Sequence, residues 1–466
     1  MKKKMIYIFT IVCVFITCLG IGQRETSSSI RYHQHLHEDI DDLPIINIDT
    51  NGQKIPGSPI PSNSGNYELS EDGNETIVAS LEVKGQDSIN SKITLRYRGN
   101  SSRYFDKKSY AIHLIDENGK ENKQELLQME SHNEWALHGP FLDRTLLRNY
   151  VCLNISGEIM DYAPNVRYCH LYVDGKYQGL YLLMETITRG NGRLTISKPD
   201  KNQRTTSFVV HFDREIKGKN SLDHYSRYTY KTDFSSLDVR YPGKTLLTDE
   251  RKAYITDEIS QVEKTLYSMD LWDDQNGYSQ YLDIYEFARY LIINEFFRNI
   301  DAGHYSTYFY RDVRGKIKPC VWDFNNACNN YIDDIWNEIG FSMQDAPWFS
   351  QLLKDEKFVS VVIHEYKKLR QSYLNEDYLI NYIQQVDKWL APAVLKNDQV
   401  WGYVYDENNY NPLTYLNPVE RNAHSHEEAI EDLKEFIQKR GQWLDEHIES
   451  LYQYSATSKN ASEMIR

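Results

Sequence analysis

The hydrophobic period of the chain changes once, near Asp249, and that change restricts the fold more than any other feature. Before it, apolar and polar residues alternate. Segments 78–83, 93–97 and 110–114 carry β-branched and aromatic residues at a spacing of two, the pattern of half-buried strands. Strands are also expected at 45–48, 166–173, 179–185 and 208–212, with Asp174-Gly175 turning a hairpin. One helix interrupts them, predicted over 143–159 from the recurrence of Leu146, Leu147, Val151 and Ile155. After Asp249 the period becomes helical, at 253–267, 285–297, 348–353, 359–373, 378–391 and 425–447. Ser425 and Glu428 stand as a capping box at the start of the last helix. One hairpin lies within this half, 308–312 with 317–322, turned at Arg314-Gly315. A β-rich half followed by a helical half predicts an α+β fold with two lobes.

The N-terminus carries a different signal. Lys2, Lys3 and Lys4 precede an uncharged, mostly apolar run to Gly22, the form of a secretory signal. At about 18 residues the run sits at the short edge of a membrane span, so a cleaved signal peptide and a retained anchor both remain open. Cys18-Leu19-Gly20 adds lipid attachment as an alternative. Residues 23–42 read as a polar linker, in which His33, His35 and His37 alternate as a solvated tail or a metal-binding tract. The globular region is expected over 43–454, β-rich at 43–248 and helical at 249–454, with a loose tail at 455–466. The expected location is secreted or cell-surface, touching membrane only through the N-terminal segment.

Net charge is −14, which speaks against nucleic acid or anionic lipid as the main partner, since both demand basic surface. It is compatible with a basic protein partner. Two of the six cysteines, Cys13 and Cys18, lie in the leader. Cys152, Cys169, Cys320 and Cys328 form no CxxC pair, which argues against zinc. In an exported protein they could be disulfides or buried thiols. The sequence contains no Walker loop, G-x-S-x-G or H-E-x-x-H.

Two acidic residues of the second half stand where phosphoryl transfer would need them. Asp301 follows an apolar helix, and Asp323 follows the second strand of the hairpin, ahead of Phe324, Asn325 and Asn326. An Asp at a helix end, a hairpin, then Asp-Phe resembles the catalytic loop and metal loop of protein kinases in order. Taken singly, each is also an ordinary turn residue. The first half supplies Arg98-Gly99-Asn100-Ser101-Ser102, a basic glycine-containing turn whose N–H groups could hold phosphate. Lys108 enters the next strand as a candidate partner of the α/β-phosphates. The strand ending in Met184-Glu185 resembles the strand and hinge that bind adenine in kinases, and is equally ordinary strand chemistry.

Taken together, these segments resemble one family. Arg98 to Ser102 with Lys108-Ser109-Tyr110, Trp135-Ala136-Leu137, Asp143 with Leu147-Arg148-Asn149, Tyr162-Ala163-Pro164, the 179–185 strand, Asp301 and Trp322-Asp323-Phe324 look like the CotH family of spore-coat-type atypical kinases. The resemblance implies a protein-kinase-like fold, ATP with Mg²⁺ or Mn²⁺, and phosphorylation of Ser or Thr in a secreted, coat or surface protein; a basic, Ser-rich substrate is the expected partner. It implies Asp301 as the catalytic Asp and Asp323, with Asn325, as metal ligands. Arg98, Gly99, Asn100, Ser101 and Lys108 would hold phosphates, and Met184 and Glu185 would border adenine. The chain departs from the family pattern twice. No Asn follows Asp301 in Ala302-Gly303-His304-Tyr305-Ser306, and Asn325 replaces the second acid of Asp-x-Asp. One negative charge fewer keeps open a catalytically weak, kinase-shaped binding or coat protein. A hydrolase with Asp301 and Asp323 as paired carboxylates is the third reading.

Overall fold

The computed structural model describes residues 43–455 except 61–65, 86–87, 215–219, 228–234, 244, 270, 272, 410 and 413–414. The leader, the polar linker with its histidines and the tail beyond Ser455 lie outside the described residues. Among the described residues, no helix is long and apolar enough to cross a membrane.

Seven strands close a barrel in the order β1-β2-β3-β4-β7-β9-β8. They are β1 (Ile45–Asp49), β2 (Ile77–Lys84), β3 (Ile89–Arg98), β4 (Ser109–Ile115), β7 (Glu134–His138), β8 (Val166–Val173) and β9 (Lys176–Glu185). Alternation fills the barrel: Ile77, Ala79, Leu81 and Val83 of β2 point inward with Ile93 and Leu95 of β3, while Val78 is half exposed. All pairings are antiparallel except the closing one, where β1 runs parallel to β8 with Ile46 opposite Leu171. Asp174 locks that seam by accepting from the Thr50 N–H at 2.7 Å and the Thr50 hydroxyl at 2.8 Å.

The expected strands of this half are present. Four further ones are unexpected. β5 (Gln124–Leu126) and β6 (Met129–His132) form a two-stranded ribbon too short to show a period. β7 is buried on both faces, which erases alternation. β11 (Ser235–Tyr241) does alternate, with Asp238 and Arg240 between Leu237, Val239 and Tyr241, but over five residues only. The expected helix at 143–159 starts only at Arg148, giving α1 (Arg148–Ile159). Asp143 accepts the Thr145 and Arg148 N–H groups at 3.1 and 2.9 Å, a side-chain turn that competes with helix.

The helical half contains α2 (Asp249–Leu266), α3 (Ile284–Phe296), α4 (Pro347–Leu352), α5 (Glu356–Leu369), α6 (Glu376–Trp401) and α7 (His426–His447). Ser425 caps α7, accepting the Glu428 N–H at 3.1 Å. Helix α6 runs ten residues past the expected end, because Ala393, Val394 and Asn397 are buried beyond Pro392. The hairpin β12 (Thr307–Arg311) and β13 (Lys318–Cys320) joins β10 (Phe208–Arg214) and β11 in one sheet, ordered β11-β10-β12-β13. Strands from both halves of the sequence thus share a sheet. They also share a core: Tyr168, Leu180 and Leu182 on the outer barrel face pack in one cluster with α1, α3, α5 and α6. The four cysteines of the globular region are free and buried.

Candidate functional site

Helix α3 ends at Phe296, and the chain turns through Arg298 in the left-handed region, at φ 46°. Asp301 then anchors a tight loop, its carbonyl accepting the Tyr305 N–H at 2.7 Å. Strand β13 delivers Asp323, which is also left-handed at φ 52°. Two bonds hold it there. Asn299 Nδ2 donates to the Asp323 carbonyl at 3.2 Å, and the Asn325 N–H donates to Asp323 Oδ1 at 3.1 Å. Asn326 Nδ2 reaches Asp301 Oδ2 at 2.6 Å, tying the two loops together. Burial raises the Asp301 pKa; Arg214 opposes that, and the nearby Asp323 charge adds to it.

Helix α1 braces the second loop. Asn149 Oδ1 accepts the Phe324 N–H at 2.8 Å, while its Nδ2 donates to Asn325 Oδ1 at 2.8 Å and meets His138 Nε2 at 3.2 Å. Burial pushes His138 down to about 4, so at neutral pH its ring is uncharged and can accept that bond. Arg148 forms a buried ion pair with Asp143 at 2.5 Å and donates onward to the carbonyls of Ala327 and Cys328 at 3.1 and 3.3 Å.

The barrel contributes Arg98 from the end of β3. Its guanidinium lies 5.3 Å from the centre of the Trp322 ring, within the field of Asp323. Gly99 follows at φ 103°, where a Cβ would meet Ser102 Oγ at 1.9 Å, so this turn requires glycine. Asn100 and Ser101 are exposed on it, and Ser101–Arg103 forms a 3₁₀ turn.

The structure therefore gathers Arg98, Asp301, Asp323 and Asn325 in one place, with the Gly99–Ser101 turn beginning beside Arg98. It does not gather the others. Lys108 is directed to its own loop, donating to the Arg103 carbonyl at 2.7 Å. Its neighbour Lys107 is the buried one, bonded to Asn397 Oδ1 at 2.8 Å, with Asp398 and Asp143 as its charged neighbours. Met184 and Glu185 do not offer a hinge. Their backbone pairs with β7 on one side, Trp135 opposite Glu185, and with β8 on the other, Val166 opposite Met184. No free edge remains there for adenine. The Met184 side chain is in the core, and the Glu185 carboxylate accepts from the Asn165 N–H at 2.9 Å and Asn165 Nδ2 at 3.1 Å. Arg148 and Asn149 belong to the Leu147-Arg148-Asn149 segment of the family resemblance, but the resemblance assigns neither a role in the site; His138 carries no sequence signal.

The donor set suits a hard divalent ion: two carboxylates with the amide oxygens of Asn325 and Asn326, all oxygen. Among the described residues, no group of three or more His, Cys, Asp or Glu could hold a metal, so any ion here rests on one or two carboxylates, as Mg²⁺ does.

A family model described as CotH kinase protein matches residues 95–444. The chain belongs to the CotH family. The CotH match starts inside β3, ends in α7 and contains every residue of the cluster. β1 and β2, which close the barrel, precede it. The chain is also 21% identical over 370 residues to the inner spore coat protein H of Bacillus subtilis (strain 168), covering 77% of this chain and 88% of that protein.

Proposed function

We propose that this CotH-family chain is a two-lobed, kinase-like enzyme that moves the γ-phosphoryl group of ATP to a Ser or Thr hydroxyl of a secreted, coat or surface protein. The observation that carries the reading is the pair of loop aspartates, Asp301 and Asp323, joined through Asn326 beside Arg98. Asp301 orients the attacking hydroxyl and accepts its proton. Its raised pKa makes it a better base than an ordinary surface carboxylate. Asp323 and Asn325 would hold Mg²⁺ or Mn²⁺, which supplies charge neutralisation of the phosphates when bound. Arg98 meets the charge of the transferring group, and the N–H groups of Gly99, Asn100 and Ser101 offer further phosphate contacts. The coat relative and the leader-like N-terminus support a coat or surface location.

The test is transfer of label. The full chain is incubated with γ-labelled ATP, Mg²⁺ or Mn²⁺ and a Ser/Lys-rich protein, beside Asp323→Ala. Label on protein that disappears in the variant supports the reading. Nucleotide binding without label, under either metal, supports instead a kinase-shaped binding protein. Asn325 in place of a second acid, its oxygen already engaged by Asn149, favours that second reading. Activity should also fall on the acid side at a pH above the usual aspartate range, read as the acid limb of kcat/KM, because Asp301 must be ionised.

A further inference from the structure

Beside the aspartates, the outer face of β3 and strand β11 enclose a cavity of about 1020 Å³. Arg96, Arg103 and Arg240 line it, together with Tyr67, Glu75 and Asp238. Arg96 and Arg98 lie two residues apart on one strand and so share its outer face, because Ile93 and Leu95 point into the barrel. Their charges, with that of Arg240, act on one another. Among the described residues none of these four arginines is in an ion pair. Arg103 donates to the carbonyls of Gly99 and Gly57 and stacks on Tyr67 at 3.8 Å. Arg240 donates to His211 Nδ1 at 2.9 Å, and Arg96 has only a long bond of 3.4 Å to the Tyr97 carbonyl. Burial and their mutual repulsion disfavour the charged forms of Arg96 and Arg98, against the opposing pull of Glu75 on the one and Asp323 on the other, and an anion in the cavity would relieve that cost.

The cavity is not uniformly basic. Four acidic side chains, Glu68, Glu75, Asp238 and Asp249, stand with Lys252 among the arginines. A nucleotide, negative throughout its phosphates, would be repelled by the acids. A peptide that carries phosphate on one residue and an ammonium on its neighbours would satisfy both signs. The spacing agrees as well: alternate residues on β3 are about 7 Å apart, the same step as alternate residues of an extended peptide. Arg98 faces Asp323 and Arg96 is the next step away from it, so the groove leads out of the reaction site. We infer that this groove docks a segment of the protein substrate that already bears phosphoserine between basic residues, so that one phosphorylation favours the next. The inference rests on the kinase reading for the origin of that phosphate.

Fluorescence anisotropy with the full chain tests it, using a labelled Ser/Lys peptide and its phosphoserine form. The phosphoserine peptide should bind about tenfold more tightly or better, with the preference shrinking as salt rises. Arg96→Gln should remove most of that preference and Arg96→Lys restore part of it. Arg240→Gln provides a second route if the first variant is unstable by thermal melting. Asp323→Ala should keep the preference, which separates docking from turnover. If no label is transferred but the preference persists, the kinase reading fails and the docking site stands. Equal binding of the two peptides overturns the inference. So does displacement of the phosphopeptide by ATP, accompanied by loss of ATP binding in Arg96→Gln, because the cavity would then be a nucleotide site.

Discussion

A left-handed φ at a residue bearing a Cβ costs roughly 1–2 kcal/mol, so Asp323 needs neighbours that over-determine its backbone. Asn149 is the most exacting of them, satisfying the Phe324 N–H and steering Asn325 with one amide. Asn149→Ala leaves the buried N–H unpaired. It should lower stability by about 1–3 kcal/mol in urea unfolding and reduce label transfer further than that loss of folded protein explains. Arg148→Met strands the Asp143 carboxylate in the interior and should cost about 3–5 kcal/mol by the same measurement. Lys107 gives a pH signature. An unfolded lysine titrates near 10.4, whereas burial pushes Lys107 down to about 7. Between those values the unfolded chain holds a proton that the folded chain lacks. Stability should therefore rise as pH climbs from about 7 towards 10 and be lost on the way back down. Lys107→Met should flatten that slope in urea midpoints taken across the range. Asp301 and Asp323 were legible in the sequence because each sits at an element boundary that periodicity locates. Lys107 was not, because adjacent lysines look alike until the fold buries one and leaves the other to a loop carbonyl.

At the scale of elements, the joint between barrel and helices is the C-terminal end of α6 set on β9. Asn397 Oδ1 accepts from Lys107 Nζ at 2.8 Å and from the Leu180 N–H at 3.0 Å, while Trp401 Nε1 donates to the Gln178 carbonyl at 2.7 Å. The approach requires Gly179, at φ 108°, where a Cβ would stand 2.7 Å from both Asn397 Oδ1 and Trp401 Nε1. Gly179→Ala should lower the melting temperature by several degrees, a loss of about 1 kcal/mol or more, and release the Trp401 fluorescence to a more solvated emission. Periodicity located most strands and all the long helices. It ended α6 too soon, at Ala391 just before Pro392, because the residues that carry the helix on, Ala393, Val394 and Asn397, are held by burial that the sequence pattern does not show. It also read β9 as a hinge, since a strand's sequence does not reveal whether both its edges are paired.

At the scale of the molecule, the order of elements suggested two lobes, and the packing joins the two halves of the sequence closely. One core contains the outer barrel face, α1 and the helices of the second half, and one sheet takes strands from both. A fragment of residues 43–248 should therefore fail to fold alone, giving weak near-ultraviolet dichroism and rapid proteolysis where the full chain resists. What pattern cannot supply is which face meets which, because long-range pairing depends on partners more than a hundred residues away.

The closing seam of the barrel carries that point into time. Thr50 and Asp174, the residues that latch it, are 124 positions apart. At a synthesis rate of about 5–20 residues per second, β1 emerges many seconds before β8 exists to receive it. Through that interval the first strand of the globular region has β2 on one side and an open edge on the other, so the newborn chain passes through a stage in which its most aggregation-prone surface is the one that the finished barrel hides completely.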